Sequence, residues 1–400
     1  MLKHVEIKNF RSCRSTSIAF NQSVCAIVGK NGVGKTNVLR CIDWIALSSI
    51  STDPVWVMQA GNAWDEPDEV STKLVVELDE GRFEYSLSIP WPYAKGPRRA
   101  ASLRDRLALS DDDRQTEIFR REGEKIVIRD RSEPIRVARS TPSIAALLSL
   151  LPENDEVRKP LSALSSFLAG IRYYALEENA EYRHFVTEQQ YNDWLIKYQN
   201  EGHLTGSVAL RLIYMWSEDK ERFEELRALL GPDGLGLLKH FDILELNRAI
   251  EPTQFEVDVP ETKVYLPVFT PSDQMGGAGR PFPFSDLSVG TRRVIRLVTA
   301  LLFDRRSLML MEQPEDSVHP GLLRKLIDMM RSYSYRSQII FTTHSSDVLD
   351  ILHPEEVLMA TAVGGRTSVR QLSADDVERA RKFLSNEGSL SDFLEPFDEP

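Results

Sequence analysis

Residues Gly29 to Thr36, GKNGVGKT, place glycines, a lysine and a hydroxyl at the spacing G-x-x-x-x-G-K-[ST]. Glycine at 29, 32 and 34 lets backbone N–H groups curl round an anion without Cβ clashes. The stretch follows the apolar run SVCAIVG and opens the helical run TNVLRCIDWIAL, so a helix N-terminus adds its partial positive charge. In such a loop Lys35 reaches the β- and γ-phosphates and the Thr36 hydroxyl ligates Mg²⁺. Asn31, Val33 and Asn37 complete the expected nucleotide cradle. No N-K-x-D segment is present to read guanine, which leaves ATP as the expected nucleotide.

Further segments carry complementary chemistry. In LMLMEQPEDSVHP, Leu308 to Pro320, four apolar residues deliver Glu312, as a buried strand delivers a metal-associated acid. The next residue is Gln313. A glutamate there could orient an attacking water and accept its proton; a glutamine can hydrogen-bond that water but cannot take the proton. QIIFTTHSSDVLD ends an apolar strand at Thr343-His344-Ser345. In FSDLSVGTRRVIRL, the residues Leu287-Ser288-Val289-Gly290-Thr291 open a helix, which makes Ser288 and the backbone near Gly290 a second phosphate-binding N-terminus.

Taken together these residues resemble the ABC-type P-loop ATPases of the OLD, RecF and SMC group. LSVGT is similar to the LSGGQ-type signature, and Gly290 lies 22 residues before Glu312. LMLMEQPEDSVHP resembles the group's hhhhDEPExxxHP pattern, with Glu312 as the Walker B acid in place of the more usual aspartate. The resemblance makes Gln313 the occupant of the catalytic-glutamate position and Glu315, Asp316 and His319-Pro320 the D-loop region. It makes His344 the switch histidine at the γ-phosphate. The opening VEIKNFRSCRS resembles the first strand of OLD and RecF-like heads and marks Arg11 as a phosphate- or base-side contact, against the alternative of a surface salt bridge. Gln59 is the candidate for the glutamine-bearing loop.

The resemblance implies a homodimer or higher homo-oligomer, in which Ser288, Gly290 and Thr291 of one chain complete the site of the other. It also implies Mg²⁺ held by Thr36 and Glu312. No heptad run persists, so no long coiled-coil arm is expected, and about 50 residues follow His344, too few for a C-terminal TOPRIM nuclease. The nearest match is a stand-alone ATPase of the kind found in bacterial anti-phage systems of Septu or retron type, paired with a separate nuclease or toxin. Two rival readings stay open. One is a RecF-like DNA-repair ATPase; the other is a weakly hydrolytic scaffold or inhibitor assembled by ATP, which Gln313 favours. Gln313 itself is either native or a substitution in a natural MEEPEDSVHP.

The elements that must position these residues follow from periodicity. KHVEIKNF and SVCAIVG read as strands, and KLVVELDEGRFEYSLSI and EIFRREGEKIVIRD as hairpins turning at Glu80-Gly81 and Glu122-Gly123. SIAALLSLL, EQQYNDWLIKYQ, GSVALRLIYMW and KERFEELRALLG have helical spacing, interrupted by the strand GIRYYAL. FTPSDQMGGAGRPFPF, Phe269 to Phe284, reads as a loop; alternating helices and strands follow, then a strand pair and an acidic tail. The expected fold is α/β: a P-loop NTPase of ABC/RecF-like type with a mixed sheet, an antiparallel β-layer and a helical insertion. Its expected parts are 1–140, 141–250 and 251–400.

Composition bounds the partners. The chain has 400 residues, 42% hydrophobic, with a formal net charge of −11. Such a chain does not coat nucleic acid, so DNA contact requires a local basic patch. Residues 91–140 offer one, with 13 Lys/Arg against 9 Asp/Glu, although a solvated charged hairpin looks the same. Three cysteines, Cys13, Cys25 and Cys41, have neither metal-ligand spacing nor an even count. They fit a reducing cytoplasm. The N-terminus lacks a signal-peptide apolar core, and no run is long enough to span a membrane.

Overall fold

A computed structural model describes residues 1–51, 69–90, 103–111, 114–139, 141–175, 185–201, 207–247, 263–272, 281–304, 306–386 and 388–395. Contacts divide the chain into one unit of Met1–Ala175, Arg306–Gln313 and Arg331–Pro400, and a second of Leu176–Arg305 and Pro314–Met330.

The chain runs β1 (Leu2–Phe10), β2 (Cys13–Ala19), β3 (Val24–Val28), α1 (Lys35–Ile50), β4 (Glu69–Leu78), β5 (Gly81–Pro90), β6 (Arg104–Asp111), β7 (Arg114–Glu122), β8 (Lys125–Ile128) and β9 (Ile135–Arg136). Then come α2 (Ser143–Leu150), α3 (Arg158–Ala169) and β10 (Ile171–Ala175). The middle of the chain gives β11 (Val186–Thr187), α4 (Glu188–Glu201), α5 (Val208–Glu218), α6 (Lys220–Leu230), β12 (Leu238–Leu246), β13 (Val264–Pro271), β14 (Phe282–Pro283) and α7 (Val289–Phe303). The last part supplies β15 (Leu308–Glu312), α8 (Pro320–Tyr333), β16 (Gln338–Thr343), α9 (Ser346–Leu349), β17 (Val357–Val363), β18 (Arg366–Gln371), α10 (Ala374–Asn386) and α11 (Leu390–Leu394).

Two sheets build the first unit. One is antiparallel, in the order β2-β1-β4-β5-β6-β7-β8-β9. Its β4 alternates over most of its length, with Val70, Thr72, Leu74 and Val76 buried and Ser71 and Lys73 only partly so; Val75 is buried as well. The other has the order β10-β15-β16-β3-β17-β18. Its strands pair in parallel except β17 with β18. β3 and β16 are buried at every position, as strands covered on both faces must be. Helix α1 packs against β1 and against β10, β15 and β16, burying Val38, Leu39, Cys41, Ile42 and Ile45. Helices α2 and α3 pack on α1 within the same core.

The second unit holds a smaller antiparallel sheet, β11-β13-β12 with β14 beside β13, and helices α4 to α7. Its core is aromatic: Trp194 stacks on Tyr198 at 5.1 Å, and Tyr198, Tyr214 and Phe303 meet at 5.2–5.5 Å. A buried Arg211–Asp304 pair, 3.0 Å apart, ties α5 to the end of α7.

Several local expectations shift. The register puts the β4–β5 turn at Asp79-Glu80 and the β7–β8 turn at Gly123-Glu124, each one residue from the expected dipeptide. Phe269 is not loop: it is buried in β13 and stacks on Phe241, while Phe282 pairs back to it; residues 273–280 lie outside the described set. β12 falls inside the stretch expected to be mainly helical, because its Phe241 and Ile243 are buried as a strand beside β13. The acidic tail forms α10 and α11. Gln59 lies outside the described residues. Among the described residues no helix is long and apolar enough to cross a membrane.

Candidate functional site

The C-terminal ends of three adjacent parallel strands deliver the first half of the site, the place where open α/β sheets bind ligands. β3 leads into residues 29–36, β15 ends on Glu312, and β16 ends at Thr343 before His344. Gly29, Gly32 and Gly34 have φ of 154°, 82° and 95°, the region that favours glycine. Two of them are also fixed by close approach. A Cβ on Gly29 would stand 2.2 Å from the Ala360 carbonyl oxygen, and one on Gly34 would stand 2.0 Å from Thr367 Oγ1. Thr367 donates from Oγ1 to the Val33 carbonyl at 2.8 Å and shares a 2.7 Å bond with Ser12 Oγ, which accepts from Asn37 Nδ2 at 2.7 Å. The loop is thus braced by β18 and by the β1–β2 turn. Lys35, at the first turn of α1, is 6% exposed and donates to the Gly29 and Lys30 carbonyls at 2.6 and 3.0 Å. Asn31 is exposed at the tip.

Thr36 Oγ1 donates to Glu312 Oε1 at 2.5 Å. A hydroxyl and one carboxylate are the hard oxygen donors that Mg²⁺ accepts while keeping several waters, so these two residues fit that ion. The other oxygen, Glu312 Oε2, accepts from the Tyr173 hydroxyl of β10. Gln313 has φ of 43°, a conformation rare outside glycine, and its N–H donates to the Thr342 carbonyl at 3.1 Å. That bond turns its side chain toward His344: Gln313 Nε2 and His344 Nδ1 are 2.9 Å apart. Arg11 also has positive φ, 49°; it donates to Asn37 Oδ1 at 3.3 Å and lies over the Phe10 ring. Burial, then the neighbouring Arg40 guanidinium, holds Arg11 below the usual range. Asp43, on the next turn of α1, is pushed up to about 6 by burial, opposed by Arg172, the Tyr173 backbone N–H and Arg40.

The second unit carries the signature residues. Ser288 caps α7: its Oγ accepts from the Thr291 N–H at 3.1 Å and pairs with Thr291 Oγ1 at 2.7 Å. Thr291 is buried, so its hydroxyl serves the cap, while Val289 is 46% exposed. A Cβ on Gly290 would stand 2.0 Å from the Ser317 carbonyl oxygen, and Arg293 donates to the Asp316 carbonyl at 2.8 Å. The signature turn and the loop after Gln313-Pro314 therefore pack as one piece. Glu315 is buried and His319 exposed in that loop.

The basic stretch behaves differently. Arg104, Arg106, Arg120, Arg129, Arg131 and Arg139 each lie beside a carboxylate, and Arg121 is buried on backbone carbonyls. The described part of 91–140 keeps a basic excess, but most of its arginines are paired with carboxylates, some of them, Glu69 and Asp155, from outside the stretch. The three cysteines are buried, and burial pushes the Cys13 and Cys25 thiols up to about 11 and 12, away from nucleophilic use. Tyr173 and Thr367 join the site without a motif to announce them, while Ser12 and Thr342 lie inside the stretches VEIKNFRSCRS and QIIFTTHSSDVLD, near Arg11 and His344; the aromatic pair in GIRYYAL was the available signal for Tyr173.

Comparison with known proteins follows this geometry. The family model described as "AAA domain, putative AbiEii toxin, Type IV TA system" matches residues 24–350. A DNA double-strand break repair Rad50 ATPase of Methanococcus maripaludis is 36% identical over 44 residues, which are 11% of this chain and 4% of that protein. An SMC head solved bound to the C-winged helix domain of ScpA superposes with a TM-score of 0.55 at 15% identity, covering 94% of this chain and 98% of that one. The SMC head domain from Thermotoga maritima gives 0.46 at 14% identity, covering 93% and 99%. The likeness to the first head is a likeness of fold.

Proposed function

The chain belongs to the AAA-domain family whose model it matches, and from that premise we propose that it is an ATP-gated homodimeric switch controlling a separate effector. That it is a P-loop ATPase of SMC-like fold is the firm ground beneath the proposal. The observation that carries the reading is the convergence, at neighbouring strand ends, of Lys35 and Thr36 with Glu312, and of Gln313 with His344.

In the proposed cycle the phosphates of ATP replace the Gly29 and Lys30 carbonyls as partners of Lys35. Thr36 and Glu312 would hold Mg²⁺, which supplies charge neutralisation at the phosphates. Arg11 and Asn37 form the rim beside α1. Gln313 orients water and His344 senses the γ-phosphate through their shared hydrogen bond. Ser288 and the turn at Gly290 of a second copy supply the opposing helix N-terminus. ATP then favours the closed pair and its loss favours opening, a two-state element biased by a ligand. With glutamine at 313 the ATP-bound closed pair is long-lived, because proton transfer to a general base is missing and hydrolysis is slow.

The family description pairs the AAA domain with a putative toxin of a type IV toxin–antitoxin system, which supports a toxin-linked output; the separate nuclease or toxin and the anti-phage setting are part of the proposal. A second reading, DNA repair, draws on the short Rad50 match. A third, an ATP-held scaffold with little turnover, draws on Gln313. Ser288→Arg tests the shared core of these readings. The monomer should keep its calorimetric ATP affinity while ATP-dependent growth in mass by light scattering disappears. Unchanged assembly would refute the composite site.

A further inference from the structure

We propose that Tyr173 is a positioning residue for the metal-associated carboxylate of Glu312. This rests on the reading of Glu312 as the acid that serves Mg²⁺, and it adds a residue that no motif contains.

Glu312 occupies a place where an aspartate would be one methylene shorter. The extra torsion lets its carboxylate wander unless something holds it. Thr36 Oγ1 engages Oε1 with its one O–H, keeping its lone pairs for the metal, and so fixes only one of the two carboxylate oxygens. The Tyr173 hydroxyl engages the other oxygen, Oε2, and leaves Oε1 to face Thr36.

Tyr173 is in turn held at two further points. It lies on β10, an edge strand whose Tyr173 stands opposite Leu310 in parallel register with β15. The Asp43 carboxylate accepts the Tyr173 backbone N–H. The Arg40 guanidinium lies over the phenol ring, 5.2 Å from its centre. Arg40 and Asp43 stand one turn apart on α1, the helix that begins with Lys35 and Thr36. One helix therefore supplies the phosphate ligand, the metal-facing hydroxyl and the clamp on the tyrosine. Outer partners that orient a metal-binding carboxylate typically alter metal affinity about 10–100-fold when lost.

The test is a Mg²⁺ titration of a fluorescent ATP analogue on the full chain. Tyr173→Phe should bind the analogue in EDTA as the parent does, yet need about tenfold more Mg²⁺ for half-maximal tight binding. In a Glu312→Ala background the same change should have no further effect on the Mg²⁺ requirement. An unaltered Mg²⁺ requirement in Tyr173→Phe overturns the proposal. So does equal weakening with and without the ion, which would mean that the ring only packs. If Glu312→Ala itself keeps the parent's Mg²⁺ requirement, the reading of the acid fails instead. A second readout leaves residue 173 untouched. The near-ultraviolet difference spectrum between parent and Glu312→Gln should carry a tyrosine signature, as an amide replaces a carboxylate beside the phenol. A flat difference also overturns the proposal.

Discussion

The phosphate loop and the signature turn are both glycine-bearing helix N-termini, but they are built in opposite ways. The loop at 29–36 hangs from β3 in the middle of a buried parallel sheet and is braced by Ser12 and Thr367. Its lysine is buried and already bonded to loop carbonyls. The turn at 288–291 caps itself, with Ser288 and Thr291 satisfying each other, and its Val289 faces outward. The first is a finished half-site for a small anion. The second is a self-satisfied turn that leaves an apolar side chain in solvent.

The comparison can be broken most severely at the loop. Lys35→Ala removes the cation facing the phosphates, and ATP binding should fall at least about 100-fold by calorimetry, with an unchanged circular dichroism spectrum. Comparable affinity in mutant and parent would mean that the loop is not the nucleotide cradle. At the turn, Gly290→Ala drives a methyl into the Ser317 carbonyl. It should abolish ATP-dependent dimerisation while the monomer binds ATP as before; retained dimers, seen by light scattering, would show that the turn is not an interface.

Gln313→Glu sharpens the contrast, because it changes turnover without touching the cradle. A general base contributes roughly 10²–10⁴-fold, so steady-state phosphate release should rise at least about tenfold at similar ATP affinity. A flat rate would move the proton acceptor elsewhere. The smallest effect is on stability. Asp43 titrates near 6 in the folded chain, above its ordinary value of 3.8. The native state then holds the proton longer than the unfolded one, so stability falls as pH rises from about 4 to about 6. Above that the deficit is constant, at most about 3 kcal/mol. Asp43→Asn should flatten this slope in denaturant titrations at pH 4.5 and 7.5; a parallel slope in both proteins would assign it to another group.

Much of this was readable because the chemistry sits at the ends of short apolar runs. VCAIV, LMLM and QIIF announce β3, β15 and β16, and the residues after each run fall where the strands end. β2 was not readable: CRSTSIA is mostly polar, and its burial comes from pairing with β1 and from the Thr16 bond to the Thr367 carbonyl. Helix α3 was hidden by Pro160, which the first turn of a helix tolerates. The bracing of the loop joins Ser12 to a partner 355 residues away, and no local pattern encodes such a pair. Nor does composition reveal that Gln313 adopts positive φ, since that follows from its bond to Thr342 on the neighbouring strand.

The strand order has a further consequence for how the molecule is made. β3 sits between β16 and β17, yet it leaves the ribosome about 310 residues before the first of them. At ordinary rates of protein synthesis that is a delay on the order of 15–60 s. Throughout it, VCAIV has no neighbour in its own sheet and the phosphate loop has no floor. A nascent chain that stops short of β16 therefore cannot assemble the cradle.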